Sequence, residues 1–297
     1  MPSTRDIRRR IRSVKNTAQI TKAMQMVASS KMRKAQETAI AGRPYARLMS
    51  IVLREVLDHA GDFSHPLMER REVRRRAVVV ISTDKGLCGA LNANLAREAA
   101  RYDASRTDFL AAGRRVAQFL VRTRRTLSFE FSYSDTPKFA EARAISRAVR
   151  QLFTEGKVDA VDIVFSRFIS TLSQEPTVLS FLPVTDFKLQ TPAAQIPRGE
   201  GPEADQEAAR RATEFLFEPG PEQVLGNLLP RWLNFMMYQL LLEAKASEHS
   251  ARMVAMKNAT DNANQLVKDL TLEYNKIRQA AITKELLEIS SAAMAVA

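Results

Sequence analysis

RWLNFMMYQLLLEAKASEHSARMVAMKNATDNANQLVKDLTLEYNKIRQAAITKELLEISSAAMAVA, residues Arg231–Ala297, contains neither glycine nor proline. A stretch free of those breakers can hold one uninterrupted helix, and at about 1.5 Å rise per residue this one would be roughly 100 Å long. A globular body of about 130 residues has a radius of gyration of only roughly 14 Å. The sequence therefore predicts a rod too long for its own core to cover. Residues 1–41, nearly as free of breakers, are its natural partner.

Both ends carry the spacing of helices packed on helices. The N-terminal ladder runs Ile7, Ile11, Val14, Ala18, Thr21, Gln25, Ala28, Met32, Ala35 in alternating steps of four and three. The C-terminal one runs Leu242, Ala246, His249, Met253, Met256, Thr260, Ala263, Val267, Leu270, Tyr274, Ile277, Ala281. Both seams are poor in leucine and rich in small or polar residues. That composition makes a weak self-associating zipper and suits close packing on one dedicated partner. The two half-ladders flank a different kind of sequence, which predicts an antiparallel pair within one chain. A second stripe, Ile20, Met24 and Val27, lies beside the first seam, facing something further out. The outward positions carry Arg5, Arg8, Arg9, Arg10, Arg12, Lys15, Lys22, Lys31, Arg33 and Lys34.

Gly42 and Pro44 should kink or restart the first helix, after which Met49, Val52, Leu53, Val56 and Leu57 continue an amphipathic pattern to about residue 60. At Arg76 the period changes. AVVVIS (Ala77–Ser82) reads as a buried strand, and TDKGLCG is a turn before a helix over Ala90–Arg101. FLAAG (Phe109–Gly113), a helix near Arg114–Arg122, LSFEF (Leu127–Phe131), a helix from Pro137 to about Thr154, and strands at Val161–Phe168 and Thr177–Val184 follow. Strands alternating with helices predict an open α/β sheet with helices on its faces. Residues 190–205, rich in Pro, Gly, Ala and charge, read as a loop, and EFLFEPG (Glu214–Gly220) leads into the last helix, which starts near Glu222 and must accommodate Pro230. The divisions expected are 1–60 for the first helix, 70–215 for the α/β part and 220–297 for the last helix.

At 297 residues, 45% hydrophobic and 26% charged, the composition is that of an ordinary folded protein. No apolar run approaches the roughly 20 residues of a membrane span, and the basic start lacks the apolar core of a secretory signal; a cytoplasmic chain is expected. The single cysteine, Cys88, excludes an internal disulfide and any multi-cysteine zinc site. His59, His65 and His249 show no ligand spacing. A net charge of +12 predicts attraction to acidic surfaces, whether nucleic acid, anionic lipid or protein.

Candidate sites are few. TDKGLCG stands where α/β folds bind phosphates or place nucleophiles, but Gly86 and Gly89 do not make G-x-G-x-x-G, and Lys85 precedes the glycine that a P-loop lysine follows. A phosphate-binding Cys88 thiolate would want an arginine soon after, and none comes until Arg97. A tight turn with Cys88 as a small buried residue is the simpler reading. His249 falls on the seam as a packed residue, and the methionines lie at helical spacing as filling for helix contacts. RRRIR followed by heptads resembles a basic region and zipper for DNA, a coiled-coil alternative that leaves the α/β part without a role. The nearly uncharged end, ISSAAMAVA, is either a frayed tip or a plug for an apolar sleeve made by other chains.

Three stretches carry a resemblance. IRSVKNTAQITKAMQMVASSKMRKAQ (Ile11–Gln36), ISTDKGLCGALNANL (Ile81–Leu95) and SEHSARMVAMKNATDNANQLVKDLTLEYNKIRQAAITKELLEIS (Ser247–Ser290) are similar, in the same order, to the γ subunits of F-type ATP synthases. The resemblance implies an antiparallel coiled coil of long N- and C-terminal helices with an open Rossmann-like α/β domain inserted between them. It further implies a rotating, non-catalytic shaft without cofactor or metal, turned by proton flow inside a ring of three α and three β subunits. The α/β domain would be its foot on the c-subunit ring and the ε subunit. By motif, Met24 and Arg252, with Lys22 close by, match the shaft's contact with the β subunits. Cys88 matches the cysteine of the GLCG turn near ε. Phe215, Phe217 and Glu218 match an aromatic-x-aromatic-Glu-Pro segment that meets the c ring, with phenylalanine where tyrosine is common. No nucleic acid is implied. The place implied is the cytoplasmic side of a bacterial inner membrane, as a peripheral subunit.

Overall fold

A computed structural model of the chain describes residues 4–59, 65–184, 218 and 220–296. The segment 190–205 read as a loop lies outside the described residues. By internal packing the chain divides into two units, Ser29–Ala251 and Met1–Ala28 with Arg252–Ala297. Helix α1 spans Thr4–Ala41 and α2 Arg43–His59, broken where Gly42 and Pro44 predict. The last helix, α6, runs Pro221–Val296 straight through Pro230.

In the Ser29–Ala251 unit the strands β1 (Arg76–Ile81), β2 (Thr107–Ala112), β3 (Leu127–Phe131), β4 (Ala160–Phe168) and β5 (Gln174–Leu182) form one sheet in the order β3-β2-β1-β4-β5. The first four are parallel, joined through α3 (Leu91–Ala100), α4 (Arg114–Arg122) and α5 (Phe139–Thr154). β5 is antiparallel to β4. Only residues 169–173 separate the two, and a parallel return needs a crossover of about a dozen residues or more.

Because β1 and β2 are buried on both faces, they read as continuous apolar runs, and each strand feeds two cores. Val78, Val80, Phe109, Ala111 and Val164 face Leu91 and Leu95 of α3 and Val116, Ala117 and Leu120 of α4. The opposite face, with Ala77, Val79, Ile81, Leu110, Ile163 and Phe165, packs on Leu53 and Val56 of α2, Ile145, Val149 and Phe153 of α5, and Leu233, Met236, Met237, Leu240 and Leu241 of α6. Each buried large apolar side chain contributes roughly 1.5–3 kcal/mol. At the amino ends of the strands, Arg75 pairs with Asp108 at 2.9 Å and Arg76 with Asp162 at 2.5 Å.

In the other unit the two helices meet along the predicted seam. Ile7, Ala18, Met256, Thr260, Ala263 and Leu270 are buried. The Thr21 and Thr260 hydroxyls share a hydrogen bond of 2.7 Å, and an Arg8 guanidinium N–H donates to the Tyr274 hydroxyl at 2.5 Å. These two contacts keep one antiparallel register. The last rung expected of the ladder, Ala281, is exposed, as is every residue over 278–291. The cause is geometric: the Arg8–Tyr274 register brings Thr4, where α1 begins, level with residue 278, and beyond that level α6 has no described neighbour.

Candidate functional site

The turn after β1 is closed on itself. Thr83 Oγ1 donates to the Lys85 carbonyl at 2.6 Å, and the Asn92 amide donates to Thr83 Oγ1 at 2.8 Å and to Cys88 Sγ at 3.2 Å. Cys88 is buried, Leu87 beside it is 61% exposed, and Gly89 turns the chain with φ 60°. The next helix start is equally occupied. Asp84 Oδ1 accepts from the Arg114 N–H, the Thr83 carbonyl from Arg115 and Ser82 Oγ from Val116. Gly113, at φ 106°, permits this: a Cβ there would stand 2.4 Å from the Ser82 carbonyl oxygen. The N–H groups of Arg114, Arg115 and Val116, which at a helix start could cradle a phosphate, are thus bonded within the chain.

In a sheet ordered β3-β2-β1-β4-β5, the order in which the chain adds parallel strands reverses between β1 and β4, and the crevice beyond their carboxyl ends is where such folds hold ligands. Here α6 lies across it. Ser247 Oγ donates to the Ser166 carbonyl at 2.8 Å, Ser250 Oγ to the Thr171 carbonyl at 2.7 Å, and the Phe168 N–H donates to Glu243 at 3.3 Å. From Trp232 to Ala251 every residue of α6 but Tyr238 is buried. Burial pushes the Glu243 carboxyl up to about 7, while the Phe168 N–H and the charge of Arg167 pull it the other way.

Beside this crossing is a cluster that the sequence reading did not single out. Lys245, only 2% exposed, sits 2.9 Å from Glu248 Oε2, 3.8 Å from Asp135 Oδ1 and 4.4 Å from the centroid of the Tyr133 ring. Asp135 Oδ2 accepts from Lys31 Nζ of α1 at 2.5 Å. The Tyr133 hydroxyl donates to the carbonyl of Ser82, at the end of β1, at 2.8 Å. Lys31 and Lys245 are set against Asp135 and Glu248 here, and the aromatic face shelters the buried ammonium. The hydrogen bond from Lys31, with the charges of Lys245 and His249, holds the Asp135 carboxyl below the usual range. Burial, and then the surrounding carboxylates, raise the Tyr133 phenol well above its ordinary value. The i, i+3 spacing of Lys245 and Glu248 within EAKASEHS was a visible signal. Nothing local marked Tyr133 and Asp135.

Of the residues singled out from sequence, Lys22 is exposed and Met24 and Arg252 are half-buried, all three in the Met1–Ala28 and Arg252–Ala297 unit. The register there brings Met24 level with Lys257, so Arg252 lies roughly 7 Å further along α6. Cys88, being buried, leaves Leu87 and Lys85 as the exposed side chains of its turn. Glu218 is exposed; Phe215 and Phe217 lie outside the described residues. Among the described residues, no group of three or more His, Cys, Asp or Glu side chains is arranged to hold a metal.

Fold and site together define a class: an antiparallel coiled-coil protein with an inserted α/β domain whose ligand crevice is filled by its own helix. A family model described as ATP synthase matches residues 3–296. The ATP synthase gamma chain of Opitutus terrae is 50% identical over 297 residues, all of both chains, and that of Methylacidiphilum infernorum is 44% identical over 98% of each. The chain belongs to the ATP synthase gamma chain family. Among solved structures, one of the Euglena gracilis mitochondrial ATP synthase (OSCP/F1/c-ring, rotational state 3) contains a chain that aligns with a TM-score of 0.68 at 20% identity, covering 99% of this chain and 94% of that one. One of the central stalk and c-ring of Tetrahymena thermophila mitochondrial ATP synthase aligns at 0.58 and 25% identity, over 81% and 99%. None of these matches supports a DNA-binding zipper.

Proposed function

We propose that this chain is the rotating central stalk of a proton-translocating F-type ATP synthase, a mechanical subunit without a catalytic site of its own. The observation that carries the second half of this reading is the filled crevice: α6 occupies the place where an α/β sheet holds a ligand, and the adjacent helix start is capped internally. The chain's structure is spent on holding two long helices. Proton flow turns the c ring, the shaft turns with it, and its uneven surface drives each β subunit in turn through binding, formation and release of ATP.

In this reading residues 1–60 and 220–297 serve as the shaft and 70–215 as the foot. Lys22, Met24 and Arg252 face the β subunits, where the exposed Lys22 and the half-buried Arg252 suit an acidic lever surface. The Cys88 turn and the segment of Phe215, Phe217 and Glu218 face the c ring and the ε subunit. The apolar end of α6, with Leu286 and Ile289 exposed, is seated in a bearing made by the α and β subunits. No helix among the described residues is long and apolar enough to cross a membrane, so attachment to the bacterial inner membrane comes through the complex.

Reconstitution tests this. Adding the chain to its α and β subunits should raise ATPase activity, and adding the membrane sector should couple hydrolysis to proton uptake; mixtures indifferent to the chain would refute the reading. Met24→Lys should lower coupling, measured as ATP-driven proton uptake per ATP hydrolysed, about tenfold while leaving assembly intact, because a new ammonium can form ion pairs with acidic groups on β worth about 1.4 kcal/mol.

A further inference from the structure

The cluster around Lys245 lies where three separate segments converge, and none of the residues in it is named by the proposed contacts with other subunits. α1 contributes Lys31, the segment after β3 contributes Tyr133 and Asp135, and α6 contributes Lys245 and Glu248. Asp135 is the shared element. One of its carboxylate oxygens takes the Lys31 ammonium at 2.5 Å and the other faces the Lys245 ammonium at 3.8 Å, so a single side chain touches both long helices.

Its own anchorage is firm. Two residues earlier, Tyr133 is buried, its hydroxyl fixed to the Ser82 carbonyl at the end of a central strand and its ring against Lys245. Lys245 in turn is held by Glu248 at 2.9 Å, with both side chains buried. Sheet, aromatic ring, carboxylate and both helices form one chain of contacts. Apolar packing alone is undirected; a hydrogen bond from Lys31 on one side and the Lys245 charge 3.8 Å away on the other hold one carboxylate between the two helices and oppose their relative slip.

We propose that Asp135, seated on Tyr133 and Lys245, is the positioning residue that makes the α/β domain turn α1 and α6 as one body, so that torque entering the domain reaches both helices. This rests on the rotor reading above. In a static protein the same cluster would contribute stability only; in a rotor it sets how much applied torque is lost to slip.

The test is a double-mutant cycle of Lys31→Ala and Asp135→Ala, with Asp135→Glu as the conservative control, each assembled into the whole synthase in sealed vesicles. ATP hydrolysis and ATP-driven proton uptake are measured on the same preparation. Asp135→Ala should assemble and hydrolyse ATP, yet lower proton uptake per ATP about threefold, with Lys31→Ala adding little to it and Asp135→Glu restoring most of the loss. Unchanged uptake per ATP in Asp135→Ala, or equal losses of hydrolysis and uptake that track lower thermal stability, would overturn the proposal while leaving the rotor reading standing. Failure of the unsubstituted chain to restore any coupled uptake would overturn both.

Discussion

Two stretches of the same helix make the sharpest contrast in the molecule. Over Trp232–Ala251, α6 is buried at every residue but Tyr238, including Glu243, Lys245 and Glu248. Over residues 278–291 it is exposed at every residue, including Ile282, Leu286, Leu287 and Ile289. Charged groups are buried in the first and apolar ones stand in solvent in the second. Residue type alone therefore does not decide which side chains are covered; the neighbours each segment has do. The first stretch is held by its own α/β domain, and Glu243, Lys245, Ser247, Glu248 and Ser250 have internal partners. The second has no neighbour among the described residues and exposes Ile282, Leu286, Leu287 and Ile289.

The contrast can be broken at its strong end. Leu240, fully buried against the sheet, should cost about 3 kcal/mol when changed to alanine, read from urea unfolding of the isolated chain. A cost below about 1 kcal/mol would mean that this stretch is not core in the way its burial implies.

A second lever is Glu243. Its carboxyl is pushed from an ordinary 4.5 up to about 7 by burial, so between those values the folded chain holds a proton that the unfolded chain has lost. Stability is accordingly full below about pH 4.5, falls as pH rises to about 7, and stays at the lower level above it. Glu243→Gln should remove that slope, stabilising the isolated chain by up to about 3 kcal/mol above pH 7 and by almost nothing in acid. A slope that survives the substitution would assign it to another group.

The smallest effect is expected at the exposed end. Leu286, 62% exposed, should change the isolated chain's stability by less than about 0.5 kcal/mol when made alanine. The same substitution should lower coupled turnover in the assembled complex if a bearing covers it. An equal loss in the isolated chain would erase the contrast; no loss in either setting would leave the tip without a seat.

Much of this was legible in advance. The seam residues Ile7, Ala18, Ala28, Met256, Thr260 and Ala263 were readable because helical contact has a fixed period, and each is buried. LSFEF and the helix at Arg114–Arg122 fall where expected, since strand and helix periods differ sharply there. The direction of β5 was not among the expectations; it follows from a connection too short to cross over. The joint at Lys245 was not legible. Lys31 looked like one more solvated cation, and it is indeed partly exposed; what matters is that Asp135, a hundred residues away, comes within 2.5 Å of it.

The sequence by itself determined the elements, their order, the pairing of the two ends and, through three long motifs, the family. Those follow from local propensity and periodicity, which act over a few turns of chain. Only the tertiary structure decided which polar groups are buried and by what they are balanced: that α6 fills the crevice at the carboxyl ends of the central strands, that burial pushes the Glu243 carboxyl up to about 7, and that one aspartate touches both long helices. Burial and charge pairing arise from contacts between residues far apart in the chain, and the spacing of neighbours carries no record of them.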